Sequence, residues 1–224
     1  MKKLTATFLI LSLAWAALAS DKSLDEKARM LLQKFESMQA KPDKAVPADV
    51  LSKARGIILL DRTKAGFIFA YQGGSGVVMV KDKKNNWSPM GWVKADEASL
   101  GFQVGGQQSF IVVLCMNEQS AKSLIADANF NFGGEARGTG GNSSAGVEGN
   151  VDSVERDVRV YDDREGLFGG VSVKGGAVAT DDHANQLYYG TNVTMQDILF
   201  DKKVKPTETA TTLAKKIQEY SKKH

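Results

Sequence analysis

The most distinctive pattern of apolar and polar positions lies in residues 54–80, where short apolar runs alternate with turn-forming residues. The apolar runs cover residues 56–60, 66–71 and 77–80, and the segments between them carry charged residues or a Gly-Gly-Ser-Gly sequence. Short apolar runs bounded in this way are typical of consecutive antiparallel strands. The pattern therefore predicts a β-meander at the centre of the core.

A different period precedes the meander. Five apolar residues recur at alternating steps of four and three: Leu24, Ala28, Leu31, Phe35 and Met38. This spacing places them on one face of a helix, while the charged residues between them fall on the other face. An amphipathic helix is therefore predicted over residues 24–40, capped by Ser23 and ended before Pro42. A short helix is predicted to start at Pro47.

The rest of the chain predicts further strands and a helical C-terminus. Strands are expected at residues 87–94, 100–107, 109–116, 129–137, 154–161 and 167–179. The six-residue apolar run inside 109–116 predicts a central strand covered on both faces. Helices are expected at residues 118–126, 182–189, 194–200 and 207–222, with Asn117 and Thr194 as caps. Residues 133–149 are rich in glycine, and part of this segment reads equally as curved strand or as mobile loop.

These elements predict an α+β fold in a single domain, with a curved or barrel-like antiparallel sheet and flanking N- and C-terminal helices. No convincing repeat with a period of 20–50 residues occurs, which argues against solenoids and propellers.

The first 19 residues have the pattern of a cleavable signal peptide. Two lysines precede an apolar run, and Ala17-Leu18-Ala19 matches the small-x-small cleavage pattern. A membrane anchor is the alternative, but the apolar run is shorter than the roughly 20 residues that a span needs. We therefore expect an exported protein, periplasmic or extracellular, with residues 20–224 as the mature domain.

Charge and cysteine content narrow the function. The formal net charge is +3, and loss of Lys2 and Lys3 leaves about +1, so bulk charge gives no support for nucleic-acid binding. The single cysteine, Cys115, lies in an apolar run and is expected to be a buried small hydrophobe. With one cysteine the chain closes no internal disulfide, so its core must supply its stability.

Catalytic and metal-binding motifs are not found. The two histidines are His183 and His224, one cysteine offers no zinc spacing, and no Gly-x-Ser-x-Gly elbow occurs. The acidic turn at residues 162–165 lacks the spacing of a calcium loop. The glycine runs match neither a Walker loop nor a dinucleotide fingerprint. We therefore predict a non-enzymatic protein without a cofactor or metal.

Motifs along most of the chain resemble the SYLF domain, a lipid-binding family of bacterial and eukaryotic endocytic proteins. In the meander they are Ala-Arg-Gly-Ile at 54–57, Lys-Ala-Gly-Phe at 64–67 and Gly-Gly-Ser-Gly-Val-Val at 73–78. After it come Trp87, the runs 101–105 and 110–114, Val-Tyr at 160–161, and the segments 166–173, 182–185 and 188–190. The resemblance implies binding of phospholipid, with phosphoinositides as the ligands of eukaryotic members.

The resemblance also implies where lipid would bind. An N-terminal amphipathic helix and basic residues are implicated in the family. Here Leu31, Phe35 and Met38 would enter the headgroup boundary. The basic residues that would meet phosphates are Lys27, Arg29 and Lys34 on the helix, with Arg62 and Lys64 in the predicted turn at 61–66. The alternative is that the helix packs on its own sheet and that the turn residues are merely solvated.

Three functions therefore stay open. The first is an envelope module that binds anionic phospholipid at a membrane surface. The second is a structural or interaction protein whose glycine-rich segment, residues 133–149, meets an envelope protein. An unrecognised hydrolase using His183 is the third.

Overall fold

The computed structural model describes residues 22–65, 71–95, 109–126, 130–132, 158–163 and 176–222. The predicted signal peptide, the strand expected at 100–107 and the glycine-rich segment 133–149 lie outside these residues.

The described strands form one antiparallel sheet in an α+β domain. The strands are β1 (Gly56–Ala65), β2 (Tyr71–Val80), β3 (Gly91–Ala95), β4 (Ser109–Cys115), β5 (Phe130–Phe132), β6 (Val158–Asp162) and β7 (Gly176–Thr180). Their order across the seven-stranded sheet is β5-β7-β3-β2-β1-β4-β6. All pairings are antiparallel. The sheet is open, with β5 and β6 at its ends among the described strands, so it is not closed as a barrel.

The predicted three-strand meander has its strand and turn boundaries in the wrong places. Residues 61–65, expected to be a turn, continue β1, and residues 72–76, also expected to be a turn, lie inside β2. The two strands pair over their full length, from Gly56 opposite Val80 to Ala65 opposite Tyr71. The expected middle strand, 66–71, lies outside the described residues except for Tyr71.

The glycines of β2 serve close packing inside the sheet. A Cβ atom on Gly76 would overlap the backbone carbonyl oxygen of Leu59, and one on Gly74 would lie 3.0 Å from Cβ of Ala95. Glycine within a strand often marks such a close approach of neighbouring groups. The Gly-Gly-Ser-Gly run therefore belongs to a strand.

Six helices are described. They are α1 (residues 22–39), α2 (Ala48–Lys53), α3 (Glu118–Ala126), α4 (Asp182–Tyr189), α5 (Met195–Leu199) and α6 (Glu208–Tyr220). Asn117 caps α3 and Thr194 caps α5, as predicted. The structure adds that Thr194 and Asp197 form a reciprocal capping box. Ser23 lies inside α1 rather than capping it.

Helices cover both faces of the sheet. Alternate residues of each strand point to opposite faces, so Ile57 and Leu59 join one buried cluster while Ile58 and Leu60 join another. The first cluster packs against residues of α1, α2, α4 and α6, and the second against α3 and α5. Strand β4 lies between β1 and β6 and is buried from Phe110 to Cys115, which confirms the predicted central strand.

Helix α4 is joined to β3 by the side chain of Asn185. This residue is fully buried; its Oδ1 accepts from the backbone N–H of Trp92 at 2.7 Å, and its Nδ2 donates to the carbonyl of Trp92 at 3.3 Å. Nearby, the hydroxyl of Tyr189 donates to the carbonyl of Met90 at 2.6 Å. Buried backbone groups need such partners, so two residues that carry the SYLF resemblance have architectural roles here.

Candidate functional site

The apolar residues of α1 face the sheet and not the solvent. Leu31 and Phe35 are 0% exposed, and Met38 is 2% exposed. The ring of Phe35 meets that of Tyr220 on α6 edge-on, with centroids 5.7 Å apart. In this arrangement α1 is part of the core, and neither Leu31 nor Phe35 reaches a headgroup unless the helix leaves the sheet.

The basic residues predicted on α1 differ in their surroundings. Nζ of Lys34 lies 2.7 Å from Oδ1 of Asp61, whose side chain is only 10% exposed. Arg29 pairs with Asp25 one turn earlier at 2.8 Å and stays largely exposed, and Lys27 is half-buried. Lys34 therefore neutralises a buried carboxylate of the sheet, which a phosphate would have to displace.

Arg62 and Lys64 lie in strand β1, where they pair with Gly74 and Gln72 of β2. The turn predicted for them is wrong because these polar residues continue the strand ladder. Their side chains lie outside the described part of the structure. Because Leu31 and Phe35 are buried, the predicted residues of α1 do not share one exposed surface, and the role of these residues and of Arg62 and Lys64 in lipid binding stays a prediction.

The described residues offer little for catalysis. His183 is exposed on α4, and the neighbouring Asp181 caps that helix by accepting from the N–H of Ala184 at 3.0 Å. Within the described ranges, no group of three or more histidine, cysteine, aspartate or glutamate side chains is arranged to hold a metal ion. Among the helices described, none has both the length and the apolar character that crossing a membrane requires.

A groove of about 560 Å³ lies between α6 and the connection from β2 to β3. We call it the α6 groove. Its polar lining includes Lys81 and Trp87 from the connection, and Lys215, Gln218 and Lys222 from the end of α6. The partly exposed Ala214 adds apolar surface, and the buried side chains of Met79 and Ile217 lie beneath it. The groove thus combines cationic side chains with an apolar wall.

Local hydrogen bonds fix the connection that forms one side of the groove. Oδ1 of Asp82 accepts from the backbone N–H groups of Lys84 and Asn86, both at 2.8 Å. Asn85 adopts a left-handed conformation with φ of 62°, which asparagine tolerates better than most residues. Nζ of Lys202 pairs with Oδ2 of Asp82 at 2.6 Å. The carboxylate of Asp82 is therefore engaged by Lys202 and the turn backbone.

The other side of the groove is one face of α6. Thr211, Lys215, Gln218 and Lys222 follow one another at steps of four, three and four, which places them in a row along the helix and its C-terminal turn. Leu213 and Ile217 lie buried against the sheet. The cap from the side chain of Thr207 to the N–H of Ala210 sets where this helix begins.

Two contacts hold the side chain of Lys81 in the lining of the groove. Its Nζ lies 4.8 Å from the centroid of the Trp87 ring and donates to the carbonyl of Ser52 at 3.1 Å. Burial, and secondarily the nearby Arg55, lower the pKa of Lys81. Both effects disfavour the charged ammonium, so an anion bound beside it would relieve them.

The charged residues known to line the α6 groove are all cationic. Among the described residues, the lining includes Lys81, Lys215 and Lys222 and no aspartate or glutamate. In the described part of the chain, Lys215 and Lys222 form no ion pair, whereas the adjacent Lys216 pairs with Glu36 at 3.1 Å. A concave surface lined by cationic side chains attracts anions.

A comparison with family models identifies the relatives of this protein. The model described as "Ysc84: Las17-binding protein actin regulator" matches residues 96–220, which is more than half of the chain. The chain belongs to the Ysc84 family. This confirms the SYLF resemblance found in the sequence motifs.

Curated members of the Ysc84 family match over most of the chain. It is 30% identical over 190 residues to "SH3 domain-containing YSC84-like protein 1" of Homo sapiens, covering 84% of this chain and 56% of the relative. The same protein of Xenopus laevis is 29% identical over 192 residues, covering 84% and 57%. "LAS seventeen-binding protein 3" of Saccharomyces cerevisiae strain S288c is 31% identical over 188 residues, covering 80% and 40%.

This chain therefore spans about half the length of the animal relatives and less of the yeast one. These relatives are named for a binding activity or for an SH3 domain, and none of the three names denotes an enzyme. No solved structure shows significant similarity to the chain.

Sequence reasoning missed the α6 groove. From the sequence, residues 207–222 are a predicted helix in which Lys215 and Lys222 have no assigned role, and Trp87 is part of a predicted strand. The available signal was the row Lys215, Gln218 and Lys222, which lies on the C-terminal helix away from its buried residues Leu213 and Ile217. That the row faces Lys81 and Trp87 depends on tertiary packing.

Proposed function

We propose that this Ysc84-family chain is an exported, non-enzymatic module that binds anionic phospholipid at a membrane surface through the α6 groove. The observation that carries the proposal is the set of three groove lysines with no carboxylate among the lining residues that the structure describes. Lysines placed together in this way favour phosphate groups through charge-assisted hydrogen bonds.

The placement of α1 determines which surface meets the membrane in this proposal. Leu31 and Phe35 are occupied by the core, and Lys34 by Asp61. The groove lysines need no rearrangement of the fold to meet a phosphate. The protein therefore binds headgroups while α1 stays on the sheet.

Co-flotation with liposomes tests the proposal. The purified chain is mixed with neutral phosphatidylcholine vesicles or with vesicles that also contain phosphatidylglycerol, across a salt series. We expect binding to the anionic vesicles only, weakening as salt rises because salt screens exposed charges. The absence of binding to anionic vesicles at low salt would refute the proposed function.

A pair of charge-matched variants locates the surface. Lys215→Glu/Lys222→Glu is expected to abolish flotation, and Lys27→Glu/Arg29→Glu, which makes the same change in net charge on α1, is expected to retain it. Thermal unfolding followed by circular dichroism checks that both variants fold. If the α1 variant loses binding and the groove variant keeps it, the site lies on α1 and the assignment to the groove is wrong.

Export is a separate part of the proposal. It rests on the apolar run and the Ala-Leu-Ala pattern within residues 1–19. Expression in a bacterial host, followed by mass measurement of the protein from the periplasmic fraction, should show loss of these 19 residues. An intact chain in the cytoplasm would contradict export without affecting the lipid-binding part.

A protein partner is the second candidate function. It is favoured by the names of relatives, one of which is called a LAS seventeen-binding protein. Co-purification of an envelope protein that persists after detergent removes lipid, and that does not depend on Lys215 and Lys222, would support it over the lipid module.

A further inference from the structure

The chemistry of the α6 groove narrows the class of headgroup, an inference that rests on the proposed function. The described part of the chain gives the groove lining three cationic groups and no anionic one. The two carboxylates directly next to lining residues in the sequence are already paired, Asp82 with Lys202 at 2.6 Å and Glu219 with Lys216 at 3.4 Å. An ammonium group on a ligand would therefore lie beside lysines without a carboxylate to pair with, which is unfavourable.

The neutral polar groups of the groove suit a different ligand. The side-chain amide of Gln218 is exposed and has no hydrogen-bond partner among the described residues. The hydroxyls of Thr211 and Ser221 donate to carbonyls of their own helix segment, at 2.9 and 2.8 Å, and keep lone pairs available to accept. Amide and hydroxyl groups of this kind pair with ligand hydroxyls.

Lys81 is the most constrained cation of the groove. Its contacts with Trp87 and with the carbonyl of Ser52 hold the ammonium in place. An ammonium has three N–H donors, and the bond to Ser52 uses one of them. The others are available to a phosphate oxygen, so Lys81 loses less side-chain freedom on binding than an exposed lysine would.

We propose that the α6 groove selects a phosphate headgroup that carries hydroxyl groups and no ammonium, with Lys81 and the two α6 lysines on the phosphate and Gln218 on a hydroxyl. Phosphatidylglycerol is the probe of this class. Phosphatidylserine has the same net charge. Its carboxylate can pair with a groove lysine, but its ammonium finds no carboxylate to pair with.

Vesicles with equal mole fractions of phosphatidylglycerol or phosphatidylserine test the selectivity. We expect tighter binding to phosphatidylglycerol, by roughly threefold to tenfold, the ratio that about one net hydrogen bond sets. Equal binding to both lipids, with loss in Lys215→Glu/Lys222→Glu, would overturn the selectivity and leave the proposed function standing. Binding to neither lipid would overturn both.

Gln218→Glu is the decisive variant because it places a carboxylate in the groove with little change in shape. It is expected to narrow or reverse the preference, since the serine ammonium then gains a partner. Gln33→Glu on the exposed face of α1 makes the same charge change and should weaken binding to both lipids equally. If the two variants change the ratio of phosphatidylglycerol to phosphatidylserine binding equally, the groove does not determine the selectivity.

Competition with soluble phosphates distinguishes a lipid headgroup from a free phosphate compound as the ligand of the groove. Glycerol 3-phosphate should displace the protein from phosphatidylglycerol vesicles at lower concentration than phosphoethanolamine at matched ionic strength, and equal displacement would count against the proposal. Calorimetry without vesicles supplies the second arm. Free glycerol 3-phosphate is expected to bind more weakly than the vesicles do; equal or tighter binding would assign the groove to a soluble phosphate and overturn the lipid source.

Discussion

Removal of the Lys34 ammonium should destabilise the fold measurably. In Lys34→Met the long side chain remains, but Asp61, with a side chain only 10% exposed, loses the cation 2.7 Å away. Breaking a fully buried pair costs about 3–5 kcal/mol. Because the Lys34 side chain is 28% exposed, water compensates in part, and we expect a loss of about 2–3 kcal/mol.

Urea and thermal unfolding followed by circular dichroism measure this loss. For a chain of this size, it corresponds to a fall in Tm of about 4–12 °C. Lys27→Met is the matched control on the same helix; Lys27 forms no ion pair within the described residues, so its removal should change the free energy of unfolding by less than about 0.5 kcal/mol.

The double variant Lys34→Met/Asp61→Leu completes a double-mutant cycle. Replacing both partners by apolar groups removes the unpaired carboxylate and should recover most of the lost free energy of unfolding. A change below about 0.5 kcal/mol in Lys34→Met, or a double variant no more stable than the single one, would show that the pair does not hold α1 on the sheet.

Three further predictions concern single sites. Asn185→Ala leaves the N–H and carbonyl of Trp92 without their buried partner and should cost about 2–3 kcal/mol in urea unfolding; a neutral result would contradict the architectural role. The hydrogen bond from Lys202 holds the pKa of Asp82 at about 2, below its ordinary 3.8. This carboxylate therefore stabilises the fold above about pH 4 and loses that effect as the pH falls towards 2, so Asp82→Asn should flatten the decline in Tm across this window. Burial raises the pKa of Cys115 to about 12, so iodoacetamide at pH 8 should alkylate it only at the rate of unfolding; rapid labelling of the native protein would refute its burial.

The helices of this fold were predictable from sequence to a useful degree. The spacing of Leu31, Phe35 and Met38 is enough to predict a buried helix face. Thr194 predicts a helix start because N-cap hydrogen bonds involve only neighbouring residues. What covers the apolar helix face is not local. Membrane and sheet both favour the same apolar face, and only the tertiary structure places Phe35 against Tyr220.

The sheet divisions and the groove were not predictable in the same way. A glycine in a turn and a glycine at a close contact inside a sheet look the same in the sequence. The role of Gly76 is revealed only by Leu59 on the neighbouring strand. Likewise Lys81 and Lys215 are remote in sequence, and their common surface exists because α6 packs beside the β2–β3 connection. Contacts between residues that are remote in sequence produce no periodic pattern in that sequence.

Helix α6 makes two sets of contacts at once. Through Tyr220 and Lys216 it touches Phe35 and Glu36 of α1, and through Lys215 it lines the groove. In the proposed lipid complex, substitutions on α1 that shift α6 should therefore change lipid affinity without touching the lipid, and bound lipid should slow amide hydrogen exchange in α1. The effects of changes at these two places will not add independently, although α1 and α6 lie at opposite ends of the described chain.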